Sequence, residues 1–110
     1  MTDKISYSDF EKLDLRVGEI VEIEDHPDAT KLYVLKVDLG EEELRQILAG
    51  LKPYYKKEDL LNKKAVFISN LEPKIIRGLE SNGMILAAGD GEKVIFLTTE
   101  KTIEVGSKIK

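Results

Sequence analysis

Residues 66–88 read VFISNLEPKIIRGLESNGMILAA. Two apolar runs of strand character, Val66 to Ser69 and Met84 to Ala88, flank a connection that carries Pro73, Gly78, Gly83, the amide of Asn70 and the cations Lys74 and Arg77. Turn formers between apolar runs predict a hairpin-like crossing, with polar groups presented beside a sheet. Such a layout suits the holding of a ligand.

Working outward, Ser8 and Glu11 have the spacing of a capping box, with Asp9 in the first turn, so a short helix is expected to open the chain. Leu15 to Glu24 reads as a bent or bulged strand with Leu15, Val17, Val21 and Ile23 on one face and Gly18 interrupting it. Tyr33, Leu35, Val37 and Leu39 alternate before Gly40, and Leu44 to Ala49 supplies the next strand of a hairpin. Pro53 breaks the rhythm of residues 51–64, where a helical turn offering Leu60 and Leu61 to one side is expected to connect two parts of a sheet. Strands resume at Ala65 to Ser69, Met84 to Ala88 and Lys93 to Leu97, with Gly89, Asp90 and Gly91 as the turn between the last two. About five core strands and no long helix predict a small all-β barrel, because a lone sheet this short leaves its edges and one apolar face exposed. An SH3-like barrel, a small sandwich and an OB-fold all satisfy that pattern.

At 110 residues the chain is sized for a single domain, residues 1–110. It contains no apolar stretch of membrane-spanning length and opens without the apolar segment of a signal peptide, which predicts a soluble, cytoplasmic protein. With no cysteine there are no disulfides, thiolate metal sites or thiol nucleophiles. The net charge of -4 is unusual for a polyanion binder, but it is unevenly spread. Residues 1–30 hold nine acids and three bases, whereas residues 63–110 hold eight bases and six acids, which leaves room for a local basic patch. His26 is the only histidine; without convergent ligands or a nucleophile beside it, it reads as a turn residue with Pro27 and Asp28. Residues 89–93, GDGEK, lack the ending of a phosphate-binding loop and read as a turn.

Together with LDLRVGEI (Leu13 to Ile20) and HPDATKLYVLKVDLG (His26 to Gly40), the stretch 66–88 resembles the tRNA-binding domain found at the end of methionyl-tRNA synthetases and in stand-alone tRNA-binding proteins. The resemblance runs from about Asp9 to Ile109 and selects a five-stranded OB-fold barrel with short helices at the N-terminus and mid-chain. The motif residues are Asn70, Leu71, Pro73, Lys74, Arg77, Ser81, Gly83, Met84, Leu86, Ala87 and Ala88. The resemblance implies RNA contacts from Lys31, Arg45, Asn70, Lys74, Arg77, Ser81 and Met84, of which Lys31, Lys74 and Arg77 would meet phosphates. Thr30 stands where the family commonly has Asp, which changes the polar partner of Lys31. Arg45 has the Glu41 to Glu43 cluster as an alternative partner, and Arg16 lies between Asp14 and Glu19.

The function implied is structure-selective, non-catalytic tRNA binding, as a beta-type subunit or trans-acting partner of methionyl-tRNA synthetase, with no cofactor and no metal. The same motifs also resemble CsaA-like export chaperones that bind peptides, a second expectation. A homodimer is expected as well, joined through Ile5, Tyr7 and Phe10 at one end and Ile103, Val105 and Ile109 at the other.

Overall fold

The computed structural model describes residues 2–110. In chain order its elements are α1 (Tyr7–Glu11), β1 (Leu15–Asp25), β2 (Tyr33–Asp38), β3 (Arg45–Ala49), α2 (Lys57–Leu60), β4 (Lys64–Ile68), β5 (Lys74–Ile76), β6 (Leu79–Ser81), β7 (Met84–Ile85), β8 (Ala87–Gly89) and β9 (Val94–Phe96). The main sheet has the order β3-β2-β1-β4-β7 and is antiparallel throughout. Its long strand β1 serves both halves. Leu15 to Glu19 pair with β4, and Glu19 to Asp25 pair with β2.

The two ends of this sheet curl toward each other. Between β3 and β7 the segment 80–82 closes the gap: Asn82 N donates to Gln46 O at 2.9 Å, Gln46 Nε2 donates to Glu80 O at 2.9 Å, and Leu48 N donates to Ser81 Oγ at 3.0 Å. The result is the nearly closed five-stranded barrel expected of an OB-fold. Inside it Ile20, Leu35, Val37, Leu39, Ile47 and Phe67 are sealed from solvent, and Leu60 from α2 plugs one end. Such packing, rather than strand propensity, holds so small a sheet together.

The face of β1 differs from the expectation. The inward positions are Gly18 and Ile20, and a register shift between Ile20 and Glu22 then moves Ile23 onto the core. The break therefore falls at Val21, three residues beyond Gly18. Because a bulge adds one residue, it reverses which parity faces inward, and a single alternating face cannot be assigned through it. Gly18 serves packing instead. A Cβ there would stand 2.7 Å from Leu39 Cδ2 and 2.9 Å from both Phe67 Cδ1 and Val37 Cγ1, so the missing side chain is what lets the barrel fill. Val17, buried on the opposite face, is covered by the C-terminal segment, whose Gly106 N and Ile109 N donate to Val17 O and Leu15 O at 2.7 and 2.8 Å.

Two boundaries also move. The first helix is capped by Ser6, whose Oγ accepts from Asp9 N at 3.1 Å, so Ser8 lies inside the helix instead of starting it. The Met84 to Ala88 run splits at Leu86 into β7, which completes the barrel, and β8, which forms an outer ribbon with β9. Asp90 Oδ1 accepts from Glu92 N and Lys93 N in the turn of that ribbon, as the GDG sequence led one to expect. Among the described residues, no helix is long and apolar enough to cross a membrane.

Candidate functional site

Between β4 and β7 the chain makes an excursion of its own, the hairpin β5–β6. Lys74, Ile75 and Ile76 pair with Ser81, Glu80 and Leu79, and the two-residue turn Arg77-Gly78 has φ values of 51° and 86°. Two successive left-handed residues are the signature of the type I′ turn, whose twist matches paired strands. An arginine in that conformation is uncommon, and it puts the guanidinium at the hairpin tip.

At the foot of the hairpin lies a shallow depression of about 180 Å³, lined by Leu48, Leu71, Glu72, Lys74, Ile76, Ser81, Gly83 and Met84. A cavity of roughly 150 Å³ admits one benzene ring, so the space here suits one flat ring. Met84 is 44% exposed although it starts a strand, because Ile85 takes the inward position of β7. Gly83 adopts φ +121°, and a Cβ on it would come within 3.0 Å of Ile68 O and 3.2 Å of Ile47 Cδ1. Only glycine lets the backbone pass there without displacing β3 or β4.

The expected site residues separate into two kinds. Lys74, Ser81 and Met84 share the depression, and Asn70 precedes Leu71 on its wall. The Ser81 hydroxyl, however, is buried and turned into the protein: it accepts from Leu48 N and donates to Gly83 O at 3.0 Å. Asn70 brackets the segment ahead of β1, accepting from Asp14 N at 2.9 Å and donating to Lys12 O at 2.6 Å. Arg45 makes a bidentate fork with Glu41, both bonds 3.0 Å, and its Nη1 donates to Ser69 O at 2.6 Å and Asn82 O at 3.3 Å. Arg16 forks onto Asp14 with two bonds of 2.9 Å, which holds the Asp14 carboxyl below its ordinary range and outweighs the opposing effect of partial burial. Both arginines thus have the acidic neighbours that the sequence offered them. Beside Arg45 runs a second groove of about 380 Å³, but Glu41, Glu43 and Glu80 line it and repel a polyanion.

Lys31, Lys74 and Arg77 are exposed, and among the described residues no ion pair joins them. Arg77 occupies the hairpin tip and Lys31 the β1–β2 loop, so neither lines the depression. Sequence reasoning missed the apolar floor, Leu48 and Ile76, since a strand residue at a barrel rim reads like core. Leu71 reads in the sequence only as a residue of the Leu-x-Pro motif, and the signal that could have placed it here is an apolar side chain in a loop. His26 does serve its turn, accepting from Asp28 N on Nδ1 at 3.0 Å, but its Nε2 also lies 3.0 Å from Ile76 O. No grouping of three or more His, Asp or Glu able to hold a metal ion occurs among the described residues.

Comparison with known proteins bears on this arrangement. Residues 15–108 match the family described as "Putative tRNA binding domain". A methionine–tRNA ligase of Thermococcus onnurineus is 58% identical over 106 residues, which are 96% of this chain and 14% of that enzyme. The chain therefore spans about one seventh of the length of such curated relatives. Among solved structures, a MetRS related protein from Pyrococcus horikoshii superposes with a TM-score of 0.91 at 31% identity, covering 99% of this chain and 100% of that one. The CsaA chaperone protein from Picrophilus torridus gives a TM-score of 0.89 at 38% identity, covering 97% and 100%. With its barrel, its Asn70 to Ala88 motif and a match over nearly its whole length, this chain belongs to the tRNA-binding domain family.

Proposed function

We propose that this chain binds tRNA without catalysing a reaction on it, and that the depression beneath the β5–β6 hairpin is where an unpaired nucleotide is held. The observation that carries this reading is the depression itself, a ring-sized apolar hollow with exposed Met84 on its wall and the free ammonium of Lys74 on its rim. RNA is read chiefly through unstacked bases and through shape, and an apolar thioether beside a cation serves both the face of a base and its phosphate. Lys74, Arg77 and Lys31 take the phosphates. Asn70, Ser81 and Arg45 contribute first by fixing the walls, and offer RNA only what their internal bonds leave over. A net charge of -4 keeps indiscriminate polyanion binding weak, so selectivity follows from fit.

The likeness to a segment of methionine–tRNA ligases supports a role beside that enzyme's catalytic parts, where a second attachment to the same tRNA raises effective concentration. A cytoplasmic site of action and a single domain over residues 1–110 accord with that role. The apolar residues Ile5 and Tyr7, each 68% exposed, and the hollow formed by Phe10, Leu13 and Ile109 support a homodimer through α1 and the C-terminal segment. Light scattering is expected to give twice the chain mass; a monomer mass at every concentration contradicts this.

A second reading, peptide binding, is favoured by the apolar lining of the same depression and by the 38% identity to a CsaA chaperone protein. Equilibrium binding to total tRNA, with duplex DNA and an unfolded peptide as competitors, separates the two. The tRNA reading predicts binding that neither competitor displaces, with a shallow salt dependence. Ready displacement by peptide overturns it.

A further inference from the structure

We propose that His26 is a positioning residue that ties the β5–β6 hairpin to the β1–β2 loop and thereby sets where Arg77 and Lys31 stand relative to each other. Its effect on affinity rests on the tRNA-binding reading; its effect on the hairpin does not.

His26 is 4% exposed, and both ring nitrogens are engaged. A peptide N–H can only donate and a carbonyl can only accept. Since Nδ1 faces Asp28 N and Nε2 faces Ile76 O, the ring must be the neutral tautomer with its hydrogen on Nε2, donating to Ile76. The two partners lie in different places. Asp28 belongs to the loop that carries Lys31, and this loop is closed at its base by His26 N donating to Leu32 O at 3.1 Å. Ile76 is the last residue of β5, immediately before the Arg77-Gly78 turn.

The hairpin has few other moorings. Its bonds to the barrel through Glu80 O and Ser81 Oγ both lie on β6, so among the described residues the His26 bond is the hydrogen bond that joins β5 and the turn to the rest of the molecule. A two-stranded hairpin of three-residue strands has little stability of its own. Without the imidazole the tip is free to pivot on β6, and a mobile Arg77 must be ordered anew each time RNA binds, which lowers affinity.

Two substitutions divide the ring's two bonds. In His26→Asn the side-chain oxygen still accepts from Asp28 N in an Asx turn, but the side chain is too short to reach Ile76 O. In His26→Gln the amide nitrogen extends to about the place of Nε2 and restores the donor. The expected result in His26→Asn is faster amide hydrogen exchange across residues 74–81, with the barrel unchanged, and tRNA binding weakened several-fold. His26→Gln returns both toward the parent. In a Lys74→Ala/Arg77→Ala background, His26→Asn should change affinity much less, because the hairpin cations that the Ile76 bond holds in place relative to Lys31 are gone.

Hairpin amides that exchange in His26→Asn as in the parent overturn the tether. An equal loss of affinity with and without the two cations overturns the positioning role, since a general loss of stability acts in both backgrounds. A parent protein that binds no tRNA removes the functional reading alone, and hydrogen exchange then decides the tether by itself.

Discussion

In the barrel, Phe67, Ile20, Leu35, Leu39 and Ile47 are wholly buried, and the hydroxyl of Tyr33, which packs among them, is satisfied by Tyr55 O at 2.6 Å. In the β5–β6 hairpin only Ser81 is buried, Ile75 is 71% exposed, and the turn consists of an arginine forced to positive φ and a glycine. The cations differ in the same way. Arg16 and Arg45 on the barrel strands are forked onto Asp14 and Glu41, whereas among the described residues no ion pair holds Lys74 or Arg77 on the hairpin. The two barrel arginines help to close the barrel's own rim, and under the proposed function what the domain offers to tRNA sits chiefly on the excursion between β4 and β7.

Substitutions on the two sides of this contrast should behave differently. Phe67→Ala empties the centre of the barrel and is expected to cost about 3–5 kcal/mol in urea unfolding; a loss below about 1 kcal/mol would mean that the core is not where the stability lies. Ser81→Ala, at the junction of hairpin and barrel, leaves Leu48 N without its acceptor and is expected to cost about 1–3 kcal/mol. Met84→Ala removes apolar surface from the depression. It is expected to weaken tRNA binding by about 0.3–1.5 kcal/mol, the worth of one thioether–ring contact, and to leave the salt dependence as it was. A changed salt slope would show that the variant disturbs the cations as well.

The smallest effect expected is at Asp14. Its carboxyl is held low by the Arg16 fork, with Ser69 and Lys108 adding to that. A folded-state value below the unfolded one, near 3.8, means that the fork stabilises the protein fully above that pH and ceases to do so as the pH falls through the lower folded value. The difference in urea midpoint between the parent and Asp14→Asn should therefore be constant from neutral pH down to about 4 and shrink below it. A difference that grows on acidification would contradict the sign.

The barrel was legible because alternation over Tyr33 to Leu39 and the apolar run at Ala65 to Ser69 state which face is inward. Reading β1 failed at Val21, because a bulge leaves no mark in an alternating pattern and the glycine that suggested one, Gly18, is there for packing. The motif residues were legible, but not their employment. Ser81, Asn70 and Arg45 carry groups suited to RNA, and whether a hydroxyl, amide or guanidinium turns outward depends on which carbonyls and amides the fold leaves unpaired beside it. His26 was legible as a turn residue, yet its second partner lies 50 residues away and no local pattern announces it.

That Lys74 and Arg77 on the hairpin carry phosphate contacts to tRNA beside the base held at Met84 is tested most directly by the salt dependence of tRNA affinity for the parent and for Lys74→Ala/Arg77→Ala. The predicted result is an unfolding midpoint equal to the parent's, weaker binding, and a plot of log affinity against log salt shallower by about 2, one for each lost phosphate contact. Equal affinity and equal slope in the two proteins would contradict it and move the RNA surface elsewhere on the barrel.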